Sequence, residues 1–252
     1  MLTVLIITLN ARELIEETLE CVLRITKDII IVDNGSTDNT LDIARKYHAK
    51  ILNYSGRNLG KQRILGLKNV KTEWILVLDA DERLSKELQN EIKEILSKKT
   101  KYDGFFIPYQ NHFLGKPINY GGEDYSMIRL FKKDKIVISP DLVHEGFSIP
   151  NGNIGKLEGK ILHYSYRSLS QTFSKFHDYA LREAQQKFVK KERSNLKKIF
   201  MYPPHMFWAR FIKDKGYKDS AFRIPLDLGF AYMEFMTYLI LAFKNLRTYY
   251  HL

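Results

Sequence analysis

Three carboxylates stand within four residues at Asp79-Ala80-Asp81-Glu82, directly after the apolar run 74–78. Five continuous apolar residues are typical of a strand buried on both faces, as in the parallel sheet of an α/β protein. Ligands of such sheets lie at the carboxyl ends of the strands. Because neighbouring carboxylates repel one another unless a cation joins them, the cluster predicts a divalent metal beside a phosphate-bearing substrate.

Polar residues also follow the first two predicted strands, as Thr8-Leu9-Asn10 and as Asp-Asn-Gly-Ser-Thr-Asp at 33–38. A carboxylate such as Asp33 can accept a hydrogen bond from a nucleobase, and the turn around Gly35 allows close backbone approach. Ser36 and Asp38 are instead expected to cap the next helix. No Gly-x-Gly-x-x-Gly follows the first strand, which argues against a site for NAD or FAD.

Predicted strands and helices alternate through the first hundred residues, and they must position these polar groups. Strands are predicted at 3–9, 29–32, 50–53 and 73–78. Helices are predicted at 13–24, 40–47, 61–69 and, with Ser85 as N-cap, to about 96. Repeated β-α units of this length predict a parallel, doubly wound sheet. Later short runs predict mixed or antiparallel additions, at 105–109, 127–131, 136–138 and 160–166.

The single cysteine of this 252-residue chain, Cys21, excludes an intrachain disulfide and a Cys-based zinc site. Its place in a helical pattern predicts a buried structural thiol. The N-terminal residues run straight into the first strand, so we expect no signal peptide and a cytoplasmic protein.

The net charge of +11 is concentrated in the second half, where segment 175–218 carries 12 Lys/Arg against 4 Asp/Glu. A basic helix is predicted over 168–200, followed from Pro203-Pro204 by an aromatic, apolar tail over 203–252. Its longest apolar stretch, 228–243, is short for a membrane span and contains Glu234. The pattern favours a helix lying on an anionic membrane surface, with packing into the core or a dimer interface as the alternative.

In order and spacing, the three polar motifs resemble the successive motifs of family 2 glycosyltransferases with the GT-A fold. The similarity sharpens to the branch of the lipopolysaccharide-core β-1,4-glucosyltransferases through Gly121-Gly122, Arg129-Leu130-Phe131, Asp-Leu-Val-His-Glu at 141–145 and Leu-His-Tyr-Ser-Tyr-Arg at 162–167. The resemblance implies an α/β, Rossmann-like GT-A core over 1–167, with a mostly parallel sheet and mixed additions. A helical, basic and aromatic extension follows over 168–252.

The resemblance also implies roles for individual residues. Donor-binding roles fall to Thr8, Asn10, Asp33, Arg63, Asp79, Gly121 and Gly122. Among these, Asn10 and Asp33 would meet the base (uracil), Arg63 the phosphates, Asp79 the ribose or metal, and Gly121-Gly122 the sugar. Metal-binding roles fall to Asp81, Asp79 and His163. Glu145 matches the general base. Pro140-Asp141 departs from the two acidic residues that close relatives often carry.

The implied activity is inverting transfer of a hexose from a nucleoside-diphosphate sugar, UDP-linked, to a hydroxyl of a cell-envelope glycan or glycolipid. Mg²⁺ or Mn²⁺, held by carboxylates and phosphates, would stabilise the leaving diphosphate. A glutamate partly withdrawn from water, Glu145, could take the acceptor proton. A surface ion pair for Glu145, and a core histidine for His163 or His144, stay open as alternatives.

Two other functions stay open. One is a non-catalytic protein on a GT-A scaffold that binds a membrane surface or nucleic acid, although no nucleic-acid motif is visible and no nucleic-acid partner is expected. The other is an aspartate phosphohydrolase, but Arg83 stands where such enzymes usually have Thr or Val. The expected location is the inner face of the cytoplasmic membrane, as a peripheral protein, and an oligomer is compatible with the sequence.

Overall fold

The computed structural model describes residues 1–56, 58–138 and 147–249. The chain forms two compact units. The first comprises Met1–Gln110 with Tyr125–His163, and the second comprises Asn111–Asp124 with Tyr164–Leu252. The short segment 111–124 therefore belongs with the C-terminal helices, whereas the domain boundary at 167 stays a prediction.

Twelve strands lie in the described residues. They are β1 Leu2–Thr8, β2 Ile29–Asp33, β3 Lys50–Asn53, β4 Trp74–Asp79, β5 Glu82–Leu84, β6 Gly104–Phe113, β7 Lys116–Pro117, β8 Ser126–Lys132, β9 Val137–Ile138, β10 Phe147–Ser148, β11 Ile154–Lys156 and β12 Ile161–Tyr166. The strands predicted from the sequence are all present, with ends that shift by a few residues. β6 continues to Phe113, beyond its predicted end, and the short strands β5, β7, β10 and β11 were not predicted.

The main sheet has the strand order β3-β2-β1-β4-β8-β6-β12-β5. β3, β2, β1 and β4 are parallel, whereas β8 runs antiparallel to both β4 and β6. β1 is buried along its whole length because apolar side chains cover both faces of the sheet. The mostly parallel sheet with antiparallel additions confirms the predicted fold class.

Four helices connect the strands of the first unit: α1 Ile15–Leu23, α2 Thr40–Lys46, α3 Leu59–Asn69 and α4 Lys86–Ser97. The Ser85 side chain accepts a hydrogen bond from the Leu88 amide and caps α4, as predicted. Asn58 caps α3 in the same way through the Lys61 amide. Cys21 is buried in α1, where burial raises the pKa of its thiol, in agreement with a structural role.

Three longer helices build the second unit: α5 Leu169–Val189, α6 Leu196–Trp208 and α7 Ile224–Tyr249. A π-helix at Ala209–Lys213 and two 3₁₀ turns at Gly216–Asp219 and Ala221–Arg223 precede α7. The single helix predicted over 168–200 is wrong. The chain breaks at Lys191, which has positive φ, and restarts where Asn195 caps α6. Pro203 and Pro204 lie inside α6 rather than at its boundary.

Many aromatic residues of the tail pack into cores of the second unit itself. One cluster is formed around Phe113, Ile118, Phe176 and Leu226. Another surrounds Ala184, Ile199, Tyr238 and Leu241. Within the described residues one helical stretch, Ala221–Leu246, is long and apolar enough to cross a membrane, and 39% of its most apolar window is buried inside the protein. Length and composition alone are weak support for a span, since a core helix meets the same criteria.

Candidate active site

Strand register brings three of the predicted site residues to one edge of the sheet. Thr8 pairs with Asp33 across β1 and β2, and Ile7 pairs with Asp79 across β1 and β4. Because these strands are parallel, their carboxyl ends lie side by side. The polar motifs that follow three separate strands therefore meet at this edge, as the crevice of an open α/β sheet requires.

The segment after β2 folds back onto the carboxylate of Asp33. One oxygen of Asp33 accepts hydrogen bonds from the amides of Gly35 and Ser36 at 2.9 and 2.8 Å, and the other accepts one from the Ser36 hydroxyl. Gly35 has φ of +85°, a conformation that favours glycine. Asp33 is thus buried and holds the turn. Its role toward a nucleobase stays a prediction.

Asn10 joins this turn from the end of β1. Its side-chain oxygen accepts a hydrogen bond from the Thr37 backbone amide at 2.8 Å, and the backbone N–H of Asn10 donates to the Ser36 hydroxyl at 2.8 Å. Asp38 accepts from the Thr40 amide at 3.0 Å, but the N-cap residue of α2 is Asn39 and the helix has no side-chain capping hydrogen bond among the described residues, so the expectation that Asp38 caps α2 is wrong. The same expectation is wrong for Ser36, whose hydroxyl contacts Asp33 and Asn10 instead.

The acidic turn after β4 is organised by Glu82, which is only 1% exposed. The Asp79 amide donates to the Glu82 carboxylate at 2.9 Å. On the other side, the Thr18 hydroxyl of α1 donates to the Ala80 carbonyl at 2.9 Å. Backbone atoms of the turn are therefore held from two directions, and Glu82 serves as an internal anchor.

Two arginines surround Asp79. Arg63 of α3 donates to its carboxylate at 2.9 Å, and Arg129 of β8 lies 3.6 Å from the other carboxylate oxygen. Burial would raise the pKa of Asp79, but the two guanidinium groups outweigh it and the pKa is lowered. Asp79 is thus held as a carboxylate in an ion pair. Its ribose and metal roles stay predictions.

Arg129 also joins Glu82 and Tyr109 in a buried network. The Tyr109 hydroxyl donates to Glu82 at 2.9 Å and accepts from Arg129 Nε at 2.6 Å. Burial raises the pKa of Glu82 against the opposing effect of Arg129. Burial also raises the pKa of Tyr109, with Glu82 and Asp79 adding to it. We call Arg63, Asp79, Glu82, Tyr109 and Arg129 the strand network.

Thr8 Oγ1 and Arg129 Nη1 are buried at this edge and have no hydrogen-bond partner among the residues that the structure describes. The Phe147 ring lies 5.8 Å from the guanidinium carbons of both Arg63 and Arg129. A buried hydroxyl and a buried cationic N–H are groups that can serve a polar, anionic ligand.

Asp81 and His163 approach each other beside the strand network. β12 pairs with β5 so that His163 stands opposite Glu82. His163 Nε2 lies 3.5 Å from Asp81 Oδ2, and the two side chains are 17% and 25% exposed. Among residues 1–56, 58–138 and 147–249, no group of three or more His, Cys, Asp or Glu side chains is arranged to hold a metal by itself.

Gly121 and Gly122 lie in the second unit, with φ of +68° and +81°. Both conformations are rarely adopted by other residues. Glu145, His144 and Asp141 lie outside the described residues, so the assignment of Glu145 as the general base stays a prediction.

The sequence did not indicate the roles of Tyr109 and Arg129 in the strand network. Arg129 was noticed only as part of a family motif, and an arginine within an otherwise apolar strand pattern was the available signal. Such a residue in a buried strand requires a carboxylate partner. Nothing in the local sequence around Tyr109 marked it.

Comparison with known proteins agrees with this arrangement. Residues 3–142 match the family model described as Glycosyl transferase family 2. The chain belongs to this family. A lipopolysaccharide core biosynthesis glycosyltransferase, LpsC of Rhizobium meliloti, is 26% identical, and the match covers 96% of this chain and 89% of LpsC. The glycosyltransferase RT0209 of Rickettsia typhi is 30% identical, with 95% and 82% covered.

Solved structures show the same fold. TarS of Staphylococcus aureus, residues 1–349 in complex with UDP-GlcNAc, has a TM-score of 0.52 at 16% identity, covering 98% of this chain and 91% of that one. The mannosyltransferase PcManGT of Pyrobaculum calidifontis, in complex with GDP-Man and Mn²⁺, has a TM-score of 0.51 at 14% identity, covering 92% and 73%. The chain therefore has the GT-A fold with C-terminal helices.

Proposed function

We propose that this chain transfers a hexose from a UDP-linked sugar to a hydroxyl of a cell-envelope glycan or glycolipid, with inversion at the anomeric carbon. The observation that carries the proposal is the pair of Asp81 and His163, 3.5 Å apart beside a turn whose backbone is anchored from inside. The pair stands at the end of the strand where a family 2 glycosyltransferase is expected to hold its donor.

The residues present fit a divalent cation. Mg²⁺ and Mn²⁺ sites of nucleotide enzymes commonly use one or two protein ligands and complete the coordination with substrate phosphates and water. Asp81 supplies a hard carboxylate and His163 an imidazole, and both are partly exposed. PcManGT, of the same fold, is described in complex with Mn²⁺ and GDP-Man, which supports the assignment. Asp79 is the third ligand that we propose, although Arg63 and Arg129 hold its carboxylate in this structure.

When bound, the cation would offset charge that develops on the departing diphosphate. The protein's own groups provide the remaining functions. Asn10 and Asp33 would orient the uracil, Arg63 would lie near the diphosphate, and the unpartnered Thr8 hydroxyl would face the donor. Glu145 would take the proton of the acceptor hydroxyl.

The acceptor class is inferred from relatives. LpsC is described as a lipopolysaccharide core biosynthesis enzyme, and TarS as a poly(ribitol-phosphate) β-N-acetylglucosaminyltransferase. Both names point to cell-envelope polymers. Glucose or a related hexose is the donor sugar that we propose for this chain.

A nucleotide-sugar screen tests the proposal. Purified protein with Mg²⁺ or Mn²⁺ should be thermally stabilised by UDP, and one UDP-hexose should be turned over. Stabilisation at 100 times Kd corresponds to about 2.7 kcal/mol and is readily measured. Asp81→Asn should abolish the metal-dependent part of UDP binding. Asp42→Asn is the matched control, because Asp42 is an exposed carboxylate of α2, 68% accessible, that pairs with Arg45.

The outcomes separate the competing functions. UDP affinity that does not respond to metal or to Asp81→Asn would refute the metal assignment. Release of free phosphate from a sugar phosphate without an acceptor would favour the phosphohydrolase. Absence of any nucleotide affinity, with binding to vesicles or duplex DNA, would favour the non-catalytic alternative.

We further propose that α6 attaches the protein to the inner face of an anionic membrane. The exposed surface of α6 carries four apolar side chains, with Leu196 at 73%, Phe200 at 62%, Met201 at 61% and Trp208 at 50% exposed. Ile199 of the same helix is buried with Tyr238 and Leu241. Apolar side chains directed outward from a helix rich in nearby lysines are typical of an interfacial helix.

Vesicle sedimentation tests the attachment. Binding to vesicles with anionic lipid should exceed binding to neutral vesicles and should weaken with salt, since each nearby Lys or Arg contributes about 1 kcal/mol. Phe200→Ser should reduce binding strongly. Leu23→Ser, at an exposed leucine of α1 in the first unit, is the control that should not. Equal binding by both variants would refute this role of α6, and a concentration-dependent dimer lost in Phe200→Ser would assign this surface to self-association.

A further inference from the structure

The loop that carries Gly121 and Gly122 is held by a segment about one hundred residues further along the chain. The amides of Asn119 and Tyr120 both donate to the Asp219 carboxylate, at 3.1 and 3.0 Å. The Gly121 amide donates to the Asp214 carbonyl at 2.8 Å. Three successive backbone N–H groups of the loop thus have their acceptors in the segment 214–219.

Arg223 also holds the loop, through the carbonyl of Gly121. It is fully buried and donates to the Gly121 carbonyl at 3.2 Å. Its other contacts are with carboxylates, at 3.0 Å to Asp219 and 2.9 Å to Asp227. One guanidinium therefore joins the loop backbone to the carboxylate that receives the loop amides.

Glu123, at the end of the loop, is held by the same segment. Its carboxylate pairs with Arg210 and lies 3.5 Å from Arg223. The buried amide of Asn111 donates to its second oxygen at 2.6 Å. Both flanks of the two glycines are therefore fixed by charged groups that are shielded from water. We call Glu123, Arg210, Asp219, Arg223 and Asp227 the loop network.

Steric constraints agree with this attachment. A Cβ added to Gly121 would collide with the Arg223 guanidinium, so the absence of a side chain allows the close approach. Gly121 also has a φ of +68°, which other residues rarely adopt. A Cβ on Gly122 would meet Arg210 only at 3.4 Å. The requirement for glycine is therefore stronger at 121 than at 122.

We infer that Arg223 and Asp219 are positioning residues for the Gly121-Gly122 loop. The C-terminal segment that carries these two residues would then be required for sugar transfer. The inference rests on the proposed function and on the family resemblance, which assigns this loop to the donor sugar. A loop with consecutive glycines would be free to sample many conformations, and the loop network restricts it to one. The C-terminal segment then contributes to sugar transfer in addition to any contact with a membrane.

Amide hydrogen exchange tests the attachment directly and without reference to activity. In Asp219→Asn one of the two acceptor oxygens becomes an NH₂ group, so the amides of Asn119 and Tyr120 compete for the remaining oxygen. Their exchange should accelerate about tenfold, the effect of losing one hydrogen bond to a charged acceptor. Tyr232→Phe is the matched control, because it removes a hydrogen bond between α7 and His177 without touching the loop. Unchanged exchange in Asp219→Asn would overturn the inference.

Donor kinetics then test the positioning role. Asp219→Asn should lower kcat/KM for the nucleotide sugar by about a hundredfold, a loss that misplacement of about 1 Å can produce. UDP itself lacks the sugar, so its metal-dependent affinity should stay within twofold of wild type. Arg223→Lys retains the charge and should recover part of the activity that Arg223→Met loses. If Arg223→Met does not fold, Gly121→Ala disturbs the same contact from the loop side and should match Asp219→Asn.

The results distinguish this inference from the proposed function. Faster loop exchange with unchanged donor kinetics would show an attachment that has no positioning role, and would refute it. Equal losses of donor kinetics and of UDP affinity would point to general unfolding and would also refute it. If wild-type protein turns over no nucleotide sugar, the proposed function fails, while the exchange rates still decide whether the loop is attached as inferred.

Discussion

The strand network and the loop network each use buried charged groups to hold a polar turn in place. In each, a carboxylate accepts backbone N–H groups of the turn: Glu82 from Asp79, and Asp219 from Asn119 and Tyr120. In each, a buried arginine neutralises that carboxylate, Arg129 in the first and Arg223 in the second.

The two networks differ in charge and in the separation of their members along the chain. The strand network has two carboxylates and two arginines, whereas the loop network has three carboxylates for two arginines. Most members of the strand network stand on neighbouring strands of one sheet. Those of the loop network come from a short loop and from a segment one hundred residues later. Regular sheet pairing can thus build the first, while the second depends on how the C-terminal helices fold.

The largest effect is expected from Arg223→Met. The change leaves the carboxylates of Asp219, Asp227 and Glu123 with Arg210, which pairs with Glu123 and Asp227, as the one remaining arginine of this network. Breaking a buried ion pair by removing one partner costs 3–5 kcal/mol, and we expect a loss of about 5 kcal/mol in the free energy of unfolding, measured by urea titration. A loss below about 1 kcal/mol would mean that water reaches the network and that its charges are not buried.

Arg129→Met makes the same chemical change in the strand network and should cost about 3 kcal/mol. The loss is smaller because Arg63 still pairs with Asp79, and Tyr109 still donates to Glu82. Urea titration of both variants gives the comparison directly. A greater loss for Arg129→Met than for Arg223→Met would reverse the ranking that we derive from the charge balance.

Thr18→Val should cost about 1 kcal/mol, because the Ala80 carbonyl loses its hydroxyl donor. Thr26→Val removes a similar bond, 2.8 Å long, from the Leu2 carbonyl at the other end of the sheet. Similar stability losses are expected for the two variants. Only Thr18→Val should also weaken metal-dependent UDP binding, by about fivefold, since only it loosens the acidic turn. Equal UDP affinities would show that the turn is held by Glu82 alone.

The smallest effect concerns Glu234 of α7, which lies outside both networks. Burial raises its pKa, against an opposing effect of Lys187. Because the folded protein binds this proton more tightly than the unfolded chain, stability is lost as pH rises through the interval between the two pKa values. Glu234→Gln should therefore match wild type in acid and gain on the order of 0.5 kcal/mol at pH 7. Thermal unfolding across pH would contradict this if the gain appeared in acid instead.

The sheet and most of the strand-end chemistry were predictable because they depend on local patterns. Apolar runs such as 74–78 mark buried strands, and residues directly after parallel strands must meet at one edge. The helix boundary near 190 was mispredicted because basic, helix-forming residues continue through it, and only Asn195 marks a new start. The aromatic tail was predicted chiefly as a membrane surface. Much of it packs into the second unit, since periodicity does not reveal which apolar face finds a partner.

Sequence by itself determined which groups arrive at the carboxyl ends of β1, β2 and β4, because chain order and strand period dictate that placement. The approach of His163 to Asp81 and the enclosure of Asp79 by Arg63 and Arg129 were decided by the tertiary structure. So was the attachment of the Gly121-Gly122 loop to Arg223 and Asp219. Long-range pairing of charges depends on the register of distant strands and the packing of helices, and a buried charge leaves no local pattern that names its partner.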